Sequence, residues 1–225
     1  MNLIMYLFGL TYVHGANDSC SANLYQETKL VAHDAGRHTT FGSSVAIDGS
    51  TVVVGSPYDD ILSASGAYVF EHNGSSWVQT AKLMDSDAED TANFGYSVVI
   101  EMSTIIVGAS FDDASGVSNA GAVYVFEYNG TSWNQMETLV ASDVETGANF
   151  GISVAMSSGQ PSGQPTGQPS MPFYIVIGSN YKNEDGFSDA GAAYIFKNNG
   201  SAWVESLKLV ALDTTAEASF GIAVA

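Results

Sequence analysis

Phe-Gly recurs four times along the chain, at Phe41-Gly42, Phe94-Gly95, Phe150-Gly151 and Phe220-Gly221, at intervals of 53, 56 and 70 residues. A second signature, Tyr-x-Phe-x-x-Asn-Gly-Ser/Thr-x-Trp, starts at Tyr68, Tyr124 and Tyr194 and ends at Trp77, Trp133 and Trp203. Asp34, Asp87, Asp143 and Asp213 each stand seven residues before one of the Phe. Three signatures in one phase define a repeat, and repeats of roughly 50 residues build solenoids, propellers or arrays whose units bury their apolar faces only against neighbours.

Inside each unit, short runs rich in Val, Ile and Tyr alternate with Gly, Asp and Asn, a pattern of strands and turns without helical periodicity. In the first unit the predicted strands are 43–47, 51–56, 66–72 and 76–83. Asp48-Gly49 and Asn73-Gly74 predict two-residue turns with both central residues at positive φ. Trp77 and Leu83 lie six residues apart in the last run, as do Trp133 and Leu139, and Trp203 and Leu209. That even offset predicts both on one face of the strand, covering the neighbouring unit. Four such strands per unit predict an all-β fold, a β-propeller of four-stranded antiparallel blades. Apolar residues at 45% and aromatics at 11% suffice for a core between blades.

Domain boundaries follow from the phase. Residues 1–16, an apolar run from Leu3 to Val13 followed by Gly15 and Ala16, read as a secretory signal, although no basic residue precedes the run. Residues 17–225 form the propeller segment, with blades at 41–84, 94–140 and 150–210 and a partial blade at 220–225. Residues 24–34 align with the fourth strand of the other units, Leu24 in the Trp position and Leu30 in that of Leu83, and read as an orphan outer strand. A ring uses such a strand to complete its last blade, so three complete blades plus partial ones predict an incomplete ring, the opening arc of a longer propeller. Tandem Gly-Gln-Pro-Ser/Thr copies within 157–172 fall in the turn between the first two strands of the third blade. Their prolines keep this insert out of the sheet. Cys20 is the only cysteine, so no internal disulfide forms.

The Phe-Gly pairs, the Gly-Ala of each third strand and Val-Gly at Val54-Gly55 and Val107-Gly108 resemble the FG-GAP repeats of integrin α-subunit N-terminal propellers. The resemblance covers about residues 24–225 and implies a noncatalytic extracellular module for binding or adhesion. Metal loops of that family follow Asp-x-Asp-x-Asp-Gly between strands one and two. Here the corresponding turns are Asp48-Gly49, Glu101-Met102 and the Gly-Gln-Pro insert, so no family metal site carries over.

A net charge of −18, from six Lys and Arg against 24 Asp and Glu, turns the chain away from nucleic acid and anionic membranes. In a propeller, the loops joining strands two to three and strand four to the next strand one share a rim, and most acidic residues fall there. Such a rim draws cations or basic ligands; the bland alternative is a solvated surface. A ligand-binding rim is expected at Asp59, Asp60, Asp112 and Asp113, with Lys182 and Asn183 breaking the pattern in the third unit. Tyr58, Phe111 and Tyr181 adjoin these positions; packing at the loop base is their expected role, with stacking on a ligand the alternative. Asp85, Asp87 and Asp90 come nearest to a calcium loop but lack its turn glycine. The Asp before each Phe is expected to bond backbone amides of its own loop.

Asn17, Asn73, Asn129 and Asn199 open glycosylation sequons, the last three at hairpin turns. His14, His33, His38 and His72 do not recur in phase, and no nucleophile elbow, phosphate loop or zinc spacing occurs, so no catalysis is expected. The sequence thus predicts a secreted, noncatalytic propeller that engages a protein or glycan partner through its acidic rim. An accessory propeller of a larger secreted enzyme and a structural matrix or cell-wall component are the alternatives.

Overall fold

The computed structural model describes residues 28–34, 40–58, 65–85, 92–157 and 173–225. The signal reading, Asn17, Cys20, Leu24, Asp59, Asp60, Asp87, Asp90 and all but the first residue of the insert fall outside them. The first unit contributes β1 (Ser44–Asp48), β2 (Thr51–Ser56), β3 (Gly66–His72) and β4 (Trp77–Leu83). The second contributes β5 (Phe94–Glu101), β6 (Thr104–Ala109), β7 (Ala122–Tyr128) and β8 (Trp133–Leu139). The third contributes β9 (Phe150–Ser157), β10 (Tyr174–Ser179), β11 (Ala192–Asn198) and β12 (Trp203–Leu209). Each unit is one four-stranded antiparallel sheet in sequence order. The first strands β1, β5 and β9 contact one another in turn. These are propeller blades, and the three form an arc rather than a closed ring.

The blades are held by their faces. Val53, Val69 and Leu83 of the first are buried in one cluster with Phe94, Ile105, Val107, Tyr124 and Phe126 of the second. Val123, Val125 and Leu139 of the second meet Phe150, Ile175, Ile177, Tyr194 and Phe196 of the third in another. At roughly 2 kcal/mol for each large apolar side chain fully buried, these interfaces outweigh the exposed hairpin turns in stability. Leu30 and Ala32 lie in no strand but are buried against Val52, Tyr68 and Phe70, where Leu83 stands relative to the second blade.

Phe-Gly forms the joint. Phe94 packs in its own blade with ring centroids 5.3 Å from Tyr124 and 6.1 Å from Phe126. Gly95, at φ 92°, turns its carbonyl back to the preceding blade, where Ser44 Oγ donates to it at 2.9 Å. A Cβ on Gly55 would stand 2.0 Å from that oxygen, which is why the second strand carries glycine there. The joint repeats with Ser97 donating to the Gly151 carbonyl at 2.8 Å and Ser153 to that of Gly221 at 2.9 Å.

Two local expectations are corrected. Trp77 and Leu83 lie on opposite faces: Phe70 pairs with Gln79 and Val69 with Ala81, which leaves Thr80 as an extra bulged residue. One extra residue reverses the alternation, so Leu83 faces the second blade while Trp77 joins the cluster of Tyr68 and Phe70. Met136 and Ser206 are the corresponding bulged residues in the other blades. The turns also differ. Only Gly49 has positive φ in the first hairpin, and the Asn73 hairpin is a four-residue loop with only Gly74 at positive φ. The Asn73 side chain makes that turn by accepting the Ser75 and Ser76 amides, so its backbone stays out of the left-handed region.

Candidate functional site

Each third strand places a tyrosine beside one residue of the fourth: Tyr68 pairs with Lys82, Tyr124 with Thr138 and Tyr194 with Lys208. In the first blade the Lys82 ammonium lies 5.0 Å from the Tyr68 ring centroid and 2.7 Å from Asp34. In the third, Lys208 lies 5.7 Å from the Tyr194 centroid, 2.7 Å from Asp143, and in contact with Glu184. Tyr194 also donates to Asp143 at 2.7 Å. Burial pushes the Asp34 and Asp143 carboxyls up, but the bonds from lysine and tyrosine prevail and hold both below the usual aspartate range. Asp34 and Asp143 therefore each anchor a tyrosine–lysine pair, a role that the loop-amide expectation did not include, while Asp34 also accepts its own backbone amide.

In the second blade Thr138 stands where the others have Lys82 and Lys208. Tyr124 Oη lies 2.8 Å from Asp85 Oδ2 and 2.7 Å from Asp112 Oδ2, and its single hydrogen serves one carboxylate at a time. Burial, then the bonds to Asp112 and Asp85, push the Tyr124 hydroxyl far above its ordinary value. Around this trio opens a cleft of about 430 Å³, also lined by Asp113, Thr138 and Val140. The corresponding place in the third blade, among Asp143, Glu145, Lys182 and Tyr194, has no room for a water-sized body.

The other expected site residues divide. Lys182 is buried and bound to Glu145 at 2.6 Å, with Asp143 at 3.5 Å. Asn183 donates its side-chain amide to Glu145 and accepts the Asp189 amide at 2.9 Å. Both are held by Glu145 of the connection between β8 and β9. Tyr58, Phe111 and Tyr181 are 62%, 40% and 47% exposed, against the expectation that they pack at the loop base. For the first two, backbone bonds fix the chain and leave the ring outside: Tyr58 exchanges bonds with Thr40, and the Phe111 amide donates to Ala92. Asp85 is buried at the cleft, and no three His, Cys, Asp or Glu side chains converge as a metal site among the described residues. Asp87 and Asp90, the other residues of the expected calcium loop, lie outside the described residues. From the sequence Tyr124 stands out only as the start of a repeat signature and Thr138 was not singled out, although Thr138 visibly interrupts a column otherwise filled by Lys82 and Lys208.

A family model described as the FG-GAP repeat matches residues 24–70, 77–126 and 133–160, more than half of the chain. The chain belongs to the FG-GAP repeat family. Two of the FG-GAP matches begin at Trp77 and Trp133 and so start on an outer strand. The first two end on the third strand of the following blade, so the family unit spans the Phe-Gly joint. The third match stops at 160, within the insert. No match to a curated protein accompanies it. No helix among the described residues is long and apolar enough to cross a membrane.

Proposed function

We propose that this FG-GAP segment is a noncatalytic, extracellular binding module that takes a basic side chain of a protein partner into the acidic cleft of its second blade. One observation carries the reading: Asp85 and Asp112 converge on Tyr124 beside Thr138, where the sister blades have Lys82 and Lys208. Asp85, Asp112 and Asp113 line one cleft and focus negative potential there, which attracts a basic side chain. Phe111, exposed next to Asp112, offers apolar contact to the stem of a lysine or arginine. The acidic balance of the whole chain adds long-range attraction for a basic partner. Extracellular placement is supported by the apolar N-terminal run, the sequons and the usual setting of FG-GAP repeats.

Calorimetric titration with a tetralysine peptide, with tetraglutamate as comparator, tests this function. Asp112→Asn and Asp113→Asn are each expected to weaken tetralysine binding about tenfold, a change of about 1.4 kcal/mol. Glu101→Gln, which removes equal charge on the opposite rim, is expected to leave binding near the parent value. Equal losses at both rims would reduce the attraction to net charge and overturn the cleft as the site.

A further inference from the structure

The hairpin turns between third and fourth strands share one construction. Asn73 Oδ1 accepts the Ser75 amide at 3.0 Å, the Ser76 amide at 3.0 Å and the Ser75 hydroxyl at 2.9 Å. Asn129 Oδ1 accepts the Thr131 amide at 2.9 Å, the Ser132 amide at 2.9 Å and the Thr131 hydroxyl at 2.8 Å. Asn199 Oδ1 accepts the Ser201 amide at 3.0 Å, the Ala202 amide at 3.0 Å and the Ser201 hydroxyl at 2.9 Å. All these bonds run to oxygen, the three side chains are exposed, and Nδ2 makes no hydrogen bond among the described residues. A Cβ built on Gly74, Gly130 or Gly200 would meet nothing within 4 Å, so each turn opens to solvent.

The turn itself needs only an acceptor oxygen, which aspartate supplies equally well. Asparagine followed at the second position by Ser or Thr is found in all three blades. We propose that Asn73, Asn129 and Asn199 are N-glycan acceptors whose turns keep every native bond after modification. Nδ2 attacks the anomeric carbon of a lipid-pyrophosphate-linked oligosaccharide; the new N–C bond forms as the lipid pyrophosphate leaves, and one amide proton is released. Oδ1 remains an acceptor throughout. By strand order these turns occupy the rim opposite the loops of Asp112 and Asp113, so glycans coat one rim and leave the cleft open. The inference rests on the extracellular reading.

Translation of the full chain in the presence of microsomes separates the two. Protection from added protease reports entry into the lumen; mass lost on N-glycosidase treatment, with Asn-to-Asp conversion mapped to 73, 129 and 199, reports the glycans. The expected result is a protected chain modified at all three turns, with Asn17 scored separately. Asn129→Asp should remove one glycan step and leave the unmodified protein's melting temperature unchanged. A protected chain without modification at the three turns overturns the glycan proposal alone. A chain left open to protease overturns the extracellular reading on which it rests.

Discussion

Asp143 joins parts of the chain that lie far apart in sequence, accepting Tyr194 on β11 and Lys208 on β12. Burial pushes its carboxyl up, yet these bonds hold it below the ordinary value of 3.8. A carboxyl depressed in the folded state contributes stability above its unfolded pKa, and that contribution is lost as pH falls through the folded value. Asp143→Asn is therefore expected to melt below the parent at neutral pH, with the gap closing as the pH drops below 3.8. A gap that persists unchanged into strong acid would contradict the account. At this scale the sequence was only partly readable. The column of aspartates was visible, but its partners were not, because Tyr194 and Lys208 reach Asp143 across 51 and 65 residues of chain. The partner of Lys182 was hidden for the same reason: Glu145 lies 37 residues away.

Hairpins and joints test differently. Gly108 lies where a Cβ would stand 2.2 Å from the Gly151 carbonyl, backbone that has no freedom to swing aside. Gly108→Ala is expected to destabilise by about 3 kcal/mol, read as a lower denaturant midpoint. Ser97→Ala removes only the hydroxyl on that carbonyl and is expected to cost about 1 kcal/mol. If the alanine at 108 costs no more than the alanine at 97, the joint is looser than described. Met102, in the β5–β6 turn, holds φ 53° where the first blade has Gly49 at 54°. Its amide donates to Asp48 of the first blade, a bond that glycine preserves. Met102→Gly relieves about 1 kcal/mol of left-handed strain, partly offset by added freedom in the unfolded chain, and should raise the midpoint slightly. A lowered midpoint would contradict it. The strands themselves were readable from alternation and turn residues. The bulge at Thr80 was not, because nothing in the local composition marks an extra residue, and it alone put Trp77 and Leu83 on opposite faces.

Across the whole molecule, the in-phase signatures carried the fold because each one is a contact between units: Phe-Gly, the strand-two glycine and the third-strand aromatics meet at every blade interface. The site was less readable because it is an exception to the repeat, carried by Thr138 and by Asp85, which stands where the other units have Ala32 and Ala141. Thr138→Lys places an ammonium beside Tyr124, at the register position that Lys82 and Lys208 hold in the sister blades. Its most direct measurement is tetralysine binding beside Thr138→Gln, a long side chain without the charge. The lysine variant is expected to melt about 3 °C above the glutamine variant and to bind tetralysine about tenfold more weakly. Undiminished binding with a lysine in the cleft would contradict the assignment of blade two as the partner site.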